Sequence, residues 1–263
     1  MIRAFRRSRI ACGAIMAVSV VIAVAIWFRD RAYPVFIPVI ASVLMLGIGY
    51  FSARVAGNLL ANMENTRYLG YLHMELDPEK FLSCYANVPG RLRQGSQAEA
   101  IYRSYLADGY AASGNYGKAL ALLDKPIPEG SLALKGLYAA NRCSCCLNAG
   151  DPVRGSEALE TLEQVVAIAR SEKPELAKNL SQSLALHKQH YNCLTGAPVD
   201  REALADAFDH AQYNLRRLEI AKVLAEDALN RGDQAMAKKQ LQYLRKNSGK
   251  TCFKRWADCQ QIP

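Results

Sequence analysis

The chain has 263 residues, 51% of them hydrophobic, which is ample for a buried core of ordinary domain size. Its net charge of +9 is uneven: residues 1–51 hold six arginines and one acid, leaving +4 for the rest. That remainder is ordinary for a soluble domain and gives no argument for nucleic acid as a partner.

Two uncharged runs, residues 10–28 and 33–51, dominate the start. Each has 19 residues and as a helix would extend roughly 28 Å, close to the thickness of a hydrocarbon core. Arg29-Asp30-Arg31-Ala32 between them suits only a tight turn, so the two runs predict a transmembrane hairpin over residues 1–51. Pro34 fits the first turn of the second helix, and Pro38, deeper, is expected to bend it. Gly13, Ala17, Gly47 and Gly49 offer small surfaces for close packing within the hairpin or between protomers of a homo-oligomer.

A cleaved leader would also begin Arg-rich. The first run is longer than a usual leader core, lacks a small-x-small site before Trp27 and is followed at once by the second run. Ser8-Arg9 also stands after Arg6-Arg7, where a twin-arginine leader needs apolar residues. Four arginines precede the first run, two lie in the turn, and Arg54 and Arg67 follow the second. By the positive-inside rule this predicts a cell-membrane protein whose N-terminus and C-terminal part, residues 52–263, are both cytoplasmic.

Residues 54–76 continue a helical pattern through Leu59, Leu60, Met63, Leu69 and Leu72. Asp77-Pro78 marks a new helix start, and Phe81, Leu82, Tyr85 and Val88 give a short helix stopped by Pro89-Gly90. Residues 99–125 then read as two amphipathic helices joined at residues 113–116. Leu106, Ala107 and Tyr110 share one face of the first helix, Gly114 closes it, and Ala119, Leu120 and Leu123 form the apolar face of the second. Further pairs follow. Residues 131–149 and about 153–170 turn at Gly150-Asp151. A helix from Pro174 turns at Gly196 and resumes after Asp200, and residues 220–230 turn at Gly232-Asp233 before Ala237, Leu241 and Leu244.

The small residue Ala107, the aromatic Tyr110 three later, Gly-Asn-Tyr at the turn and Ala119 resemble the tetratricopeptide repeat. The turn glycines are spaced 36, 46 and 36 residues apart, against a family unit of about 34. The third pair is therefore degenerate or lengthened. The resemblance implies an all-α stack of helix pairs, a solenoid, ending in a capping helix at residues 249–258 with Phe253 and Trp256 over the last pair. It also implies a concave groove that binds a protein or peptide, and an activity without catalysis or cofactor. Carried over on the turn glycines, the groove residues are Ser104, Asp108, Ser144, Asn148, Lys222, Glu226 and Asn230. Asn148 and Asn230 each stand two residues before a turn glycine, where an amide can bond a peptide backbone or satisfy its own helix end. The Lys and Asn pattern of chaperone-binding members is not present.

Other residues invite chemistry. Cys143-Ser-Cys145-Cys146 suggests a thiol or zinc site, but Cys143 aligns with Ala107 and Cys146 with Tyr110, so buried structural thiols are expected. Cytoplasmic cysteines should be reduced. His187, His190 and Cys193 step by three along one helix and are expected as a polar stripe on a solvated face, with zinc as the sharper reading. Glu157, Glu160 and Glu163 read as solvated. Ala112-x-x-x-x-Gly117-Lys118-Ala119 imitates a phosphate loop but lacks the Ser or Thr and follows a helix, not a strand. Eight basic residues against Asp233 and Asp258 from Arg231 onward read as a solvated terminal helix, or more sharply as a contact with anionic lipid. The expectation is a membrane-anchored scaffold. The alternatives are a thiol- or zinc-based sensor or enzyme, and an envelope assembly factor with the same domain outside the cytoplasm.

Overall fold

A computed structural model describes residues 2–29, 36–86, 88 and 92–260. Among them there are twelve helices and no strand, and two apolar helices stand at the N-terminus. The chain divides into two compact units, Met1–Tyr68 and Leu69–Pro263.

In the first unit α1 runs Ile2–Arg29. The second helix, α2, is described over Phe36–His73, so the apolar run and the helical pattern after it form one unbroken helix. Both are long and apolar enough to cross a membrane. Asp30, Arg31, Ala32 and Pro34 lie outside the described residues, and Pro38 lies in the first described turn of α2. The apolar side chains point outward: Val21 is 67% and Phe51 68% exposed, and Val18, Phe28, Val43 and Leu44 are likewise uncovered. So much exposed apolar surface in one unit calls for an apolar surrounding.

The helices meet antiparallel along a seam of small residues. The Cys12 thiol donates to the Ala53 carbonyl at 3.0 Å, and the Ser42 hydroxyl donates to the Ala23 carbonyl at 3.3 Å. A Cβ on Gly49 would come within 2.0 Å of Ser19 Oγ, so this crossing requires glycine. Only Gly49 of the four expected small residues is in the seam. Gly13, Ala17 and Gly47 are exposed, because a helix apolar on every side has no polar face to show which way it turns.

The second unit carries α3 (Pro78–Tyr85), α4 (Gln97–Ala112), α5 (Tyr116–Leu123), α6 (Leu132–Asn148), α7 (Pro152–Glu172), α8 (Pro174–Thr195), α9 (Arg201–Asp209), α10 (Asn214–Asn230), α11 (Gln234–Asn247) and α12 (Cys252–Cys259). Side-chain caps define the helix starts: Asp77, Asn115, Asp151, Asp200 and Asp233 each accept the backbone N–H three residues on. Gly114, Gly150, Gly196 and Gly232 all adopt φ between 73° and 83°, the left-handed conformation that closes a helix without a Cβ penalty. Pro89 and Gly90, expected to stop the helix before α4, lie outside the described residues.

Packing follows chain order. Helix α4 packs on α5 and α6, α6 on α7 and α8, α8 on α7 and α10, and α10 on α9 and α11, with α12 against α11. Ala107 and Ala119 are fully buried together with Leu120, Leu123, Tyr138, Cys145 and Cys146, and Tyr110 packs at the edge of that cluster. Cys143, Leu159, Leu162, Val166, Leu180 and Leu184 make a second cluster, and Cys193, Leu204, Ile220, Val223 and Leu224 a third. Each fully buried aliphatic side chain stabilises by roughly 1.5–3 kcal/mol relative to exposure. Close helix approach uses glycine as well as alanine: a Cβ on Gly136 would meet Leu180 at 2.5 Å, and one on Gly155 would meet Leu147 at 2.6 Å.

The end of this unit returns to its beginning. Lys250 donates its backbone N–H to the Leu76 carbonyl at 3.0 Å, and its ammonium lies 2.7 Å from Asp77 Oδ2. The Asn214 amide donates to the Met74 carbonyl at 2.8 Å. The Cys252 thiol donates to the Ala111 carbonyl at 3.5 Å and lies 3.4 Å from the Tyr116 hydroxyl, while Arg255 donates to the Ser113 carbonyl. Phe253 is buried, and α12 packs on α11 and touches the turn between α4 and α5.

Candidate functional site

The expected groove residues sit on α4, α6 and α10, and the structure sorts them into two groups joined across helices. The first begins with a buried hydrogen bond. Asn141 on α6 donates its amide to Ser104 Oγ on α4 at 2.8 Å, and Ser104 is fully buried. This sets the register of the two helices. One turn further along, Ser144 on α6 donates to Glu219 Oε1 on α10 at 3.3 Å. Asn148 donates to the Ser144 carbonyl at 3.0 Å and approaches its hydroxyl at 3.3 Å. The Asn148 Oδ1 is buried with no hydrogen-bond partner. Glu219 also holds Arg216, with Oε2 3.2 Å from the guanidinium.

Asp108, one turn after Ser104 on α4, is half-buried and among the described residues has no hydrogen bond or ion pair. Burial, followed by the nearby charge of Glu219, pushes its carboxyl well above the usual carboxylate range. Tyr105, three residues before it, is raised by burial first and then by Asp108 and Tyr213.

The second group is a buried ion cluster between α8 and α10. Lys222, only 3% exposed, lies 2.6 Å from Glu226 Oε1 and 3.4 Å from His190 Nε2. The other Glu226 oxygen is 3.2 Å from the same ring nitrogen. Burial opposes the Glu226 charge, but His190 and Lys222 hold its carboxyl below the usual range. His190 is lowered, by burial first and with Lys222 adding to it, against the pull of Glu226. The Trp256 ring of α12 stands 5.1 Å from the Lys222 ammonium. Lys222 and Glu226 therefore face a helix of the same chain.

Asn148 and Asn230, equivalent in sequence, differ in role. Asn148 bonds its own helix, whereas Asn230 crosses from α10 to donate to the Cys193 carbonyl of α8 at 3.0 Å.

The stripe of His187, His190 and Cys193 is not solvated as expected. All three are buried, because α10 packs along that side of α8. Burial drives His187 well below its ordinary value, with the charges of Arg216 and His190 adding to it, and pushes the Cys193 thiol up to about 12. Cys143, Cys145 and Cys146 are buried free thiols. Burial pushes Cys143 up to about 12 and raises the other two, so little thiolate forms near neutral pH. Among the described residues no three His, Cys, Asp or Glu side chains are grouped to hold a metal ion. Glu157, Glu160 and Glu163 are exposed, as expected. Gly117 and Lys118 lie in the first turn of α5, after the turn between two helices.

Sequence reasoning missed Asn141, Glu219 and His190 as members of these groups. The signal was available for two of them. Asn141 precedes Ser144 by three, and Glu219 precedes Lys222 by three, so each extends the face already chosen.

Among the described residues the protein is all-helical with two N-terminal apolar helices, and polar side chains join α4 to α6, α6 to α10 and α8 to α10. Comparison with family models, with curated proteins and with solved structures finds no match.

Proposed function

We propose that this chain is a membrane-anchored scaffold of the tetratricopeptide kind, with no catalytic step and no cofactor of its own. In this reading the N-terminal hairpin crosses the cell membrane with both flanks in the cytoplasm. The helical unit holds a partner protein or peptide on its inner, polar face, and nucleic acid is not a partner. The exposed Gly13 and Gly47 leave a small-residue surface for contact between protomers.

The observation that carries the reading is the packing order. Helices α4, α6, α8 and α10 each touch the next in that series, while α5 and α7 pack against both of their neighbours and α9 packs against α10. Left-handed glycines turn the chain after each of these four. A stack of this kind exposes one long inner face, which suits holding better than chemistry. The raised thiols and the buried His187 and His190 weaken the sensor alternative. Anchoring would confine the unit to a thin layer and raise its encounters with other membrane proteins.

The reading is tested by alkaline extraction of membranes, protease accessibility in intact cells against spheroplasts, and affinity isolation from detergent extracts. It expects retention in the membrane, protection of the C-terminal unit in both cells and spheroplasts, and recovery of a reproducible partner. Release by alkali, or no partner alongside turnover of a substrate, overturns it. Digestion in spheroplasts alone assigns the unit to the far side of the membrane.

A further inference from the structure

Helix α12 makes bonds to both ends of the stack. Arg245 of α11 donates to the Ala257 carbonyl at 2.8 Å and to the Gln260 carbonyl at 3.1 Å, which holds α12 on the last helix pair. Its other bonds run to residues 136 to 142 positions earlier, in the first pair. The Cys252 thiol donates to the Ala111 carbonyl at 3.5 Å and lies 3.4 Å from the Tyr116 hydroxyl, and Arg255 donates to the Ser113 carbonyl. A Cβ on Gly114 would lie 3.0 Å from the Cys252 Cβ, so the turn of the first pair leaves room for α12 only because it is glycine. Trp256 meets α10, its ring 5.1 Å from the ammonium of Lys222, one of the expected groove residues.

The groups that α12 meets are of the kind that receive a ligand. Ala111 and Ser113 offer carbonyls at the C-terminal, negative end of α4, which suit a cation, and Lys222 offers a cation, which suits an aromatic face. Arg255 and Trp256 satisfy both from adjacent positions. An eight-residue helix is too short to persist alone, and no side chain caps α12 at Thr251. It therefore keeps its form only while docked.

We infer that α12 is a latch on the surface between the α4–α5 turn and α10, and that a partner's short helix, with a basic residue beside an aromatic one, replaces it there. This rests on the scaffold reading and names the partner's chemistry. The incoming helix renews the contacts that α12 gives up, so the exchange is decided by the difference in affinity between the two. Being tethered, α12 competes at an effective concentration on the order of mM, and segments that bind weakly stay excluded.

The test uses the full chain in detergent micelles, carrying Cys259→Ser, with a disulfide reagent at pH 7.5 and labelled sites identified by mass spectrometry. Cys252 reports opening of α12, and Cys143, Cys145, Cys146 and Cys193 report unfolding of the unit. The probe is a synthetic peptide of residues 249–260 with Cys252→Ser and Cys259→Ser. Cys252 should label at least about tenfold faster than the other four, a gap of about 1.4 kcal/mol between opening and unfolding. Its rate should rise with peptide concentration while theirs does not. The same peptide with Arg255→Ala and Trp256→Ala should have no effect. Labelling of Cys252 only together with the other four, no acceleration by the peptide, or equal acceleration by the substituted peptide overturns the inference. Dimers in the micelles that the peptide dissociates would assign α12 to exchange between copies and overturn it too. In membranes the chain with Arg255→Ala and Trp256→Ala should recover more of the partner than the unsubstituted chain. Equal recovery overturns the latch and leaves the scaffold reading standing. No partner with either chain is the failure of the scaffold reading, and the peptide result then decides the latch separately.

Discussion

Leu76 and Lys250 are joined by a backbone hydrogen bond of 3.0 Å, and Leu76 makes it from a left-handed conformation, φ 58°. Among the described residues it is the one non-glycine with positive φ, a conformation that costs about 1–2 kcal/mol for an L-residue. Burial of its side chain offsets that cost. Gly249 is the matching half of the clasp: a Cβ there would lie 2.8 Å from the Leu76 carbonyl oxygen, and its own φ is 54°. Gly249→Ala should therefore destabilise the second unit by roughly 1–3 kcal/mol, read as a lower denaturation midpoint.

Arg103 predicts a larger loss. It is buried on α4, donating to the Tyr138 hydroxyl at 2.8 Å, to Glu99 at 3.2 Å and to the Pro126 carbonyl at 2.7 Å. One side chain thus ties α4, α6 and the loop after α5. Arg103→Ala strands Glu99 as a buried charge and should cost about 3–5 kcal/mol, measured by denaturant unfolding.

The histidines set an acid dependence. His187 and His190 are held below their ordinary value by burial, so the unfolded chain takes up protons first as pH falls. Their stabilising effect is complete above the unfolded value near 6.5 and is lost progressively below it. Stability should fall between pH 7 and pH 5 at up to about 1.4 kcal/mol per pH unit for each histidine titrating. His187→Gln should flatten that slope in urea melts taken at each pH.

Asp108 has the opposite sign. Its folded value is raised, so the penalty is absent below the unfolded value near 3.8 and grows as pH rises. Asp108→Asn should raise the thermal midpoint at pH 7.5 and leave it nearly unchanged at pH 3.5.

Thiol reactivity distinguishes a scaffold from a sensor. Cys259 is exposed and should react first with a disulfide reagent at pH 7.5, and Cys259→Ser should remove that phase. Cys143, Cys145, Cys146 and Cys193 should react only on unfolding. Rapid native labelling of any of these four would restore the redox reading.

What the sequence revealed was local. Gly114, Gly150, Gly196 and Gly232 sit where the turns are, and Asp77 and Asp200 cap the helices they precede, because turn and cap chemistry act over three or four residues. Helix α10 begins at Asn214, six residues before the expected Ile220, since Tyr213 marks its start without a side-chain cap. Long-range pairing was hidden. Nothing in the periodicity of α8 shows that Lys222 and Glu226 will meet His190, so a buried stripe reads as a solvated one. Likewise a helix near residues 249–258 was legible, but not its bonds to Ala111 and Ser113. Of the expected groove residues, Ser104 bonds Asn141, Ser144 bonds Glu219 and Asn148, and Lys222 and Glu226 are engaged with His190, partners that no local periodicity carries.

The most direct measurement is photo-crosslinking in native membranes, with a photoreactive phenylalanine in place of Tyr105 on α4 and, separately, of Glu160 on the exposed side of α7. A scaffold that holds its partner along α4 should yield a crosslinked protein through position 105, identified by mass spectrometry and absent from position 160. The same products from both positions, or none from position 105, would contradict it.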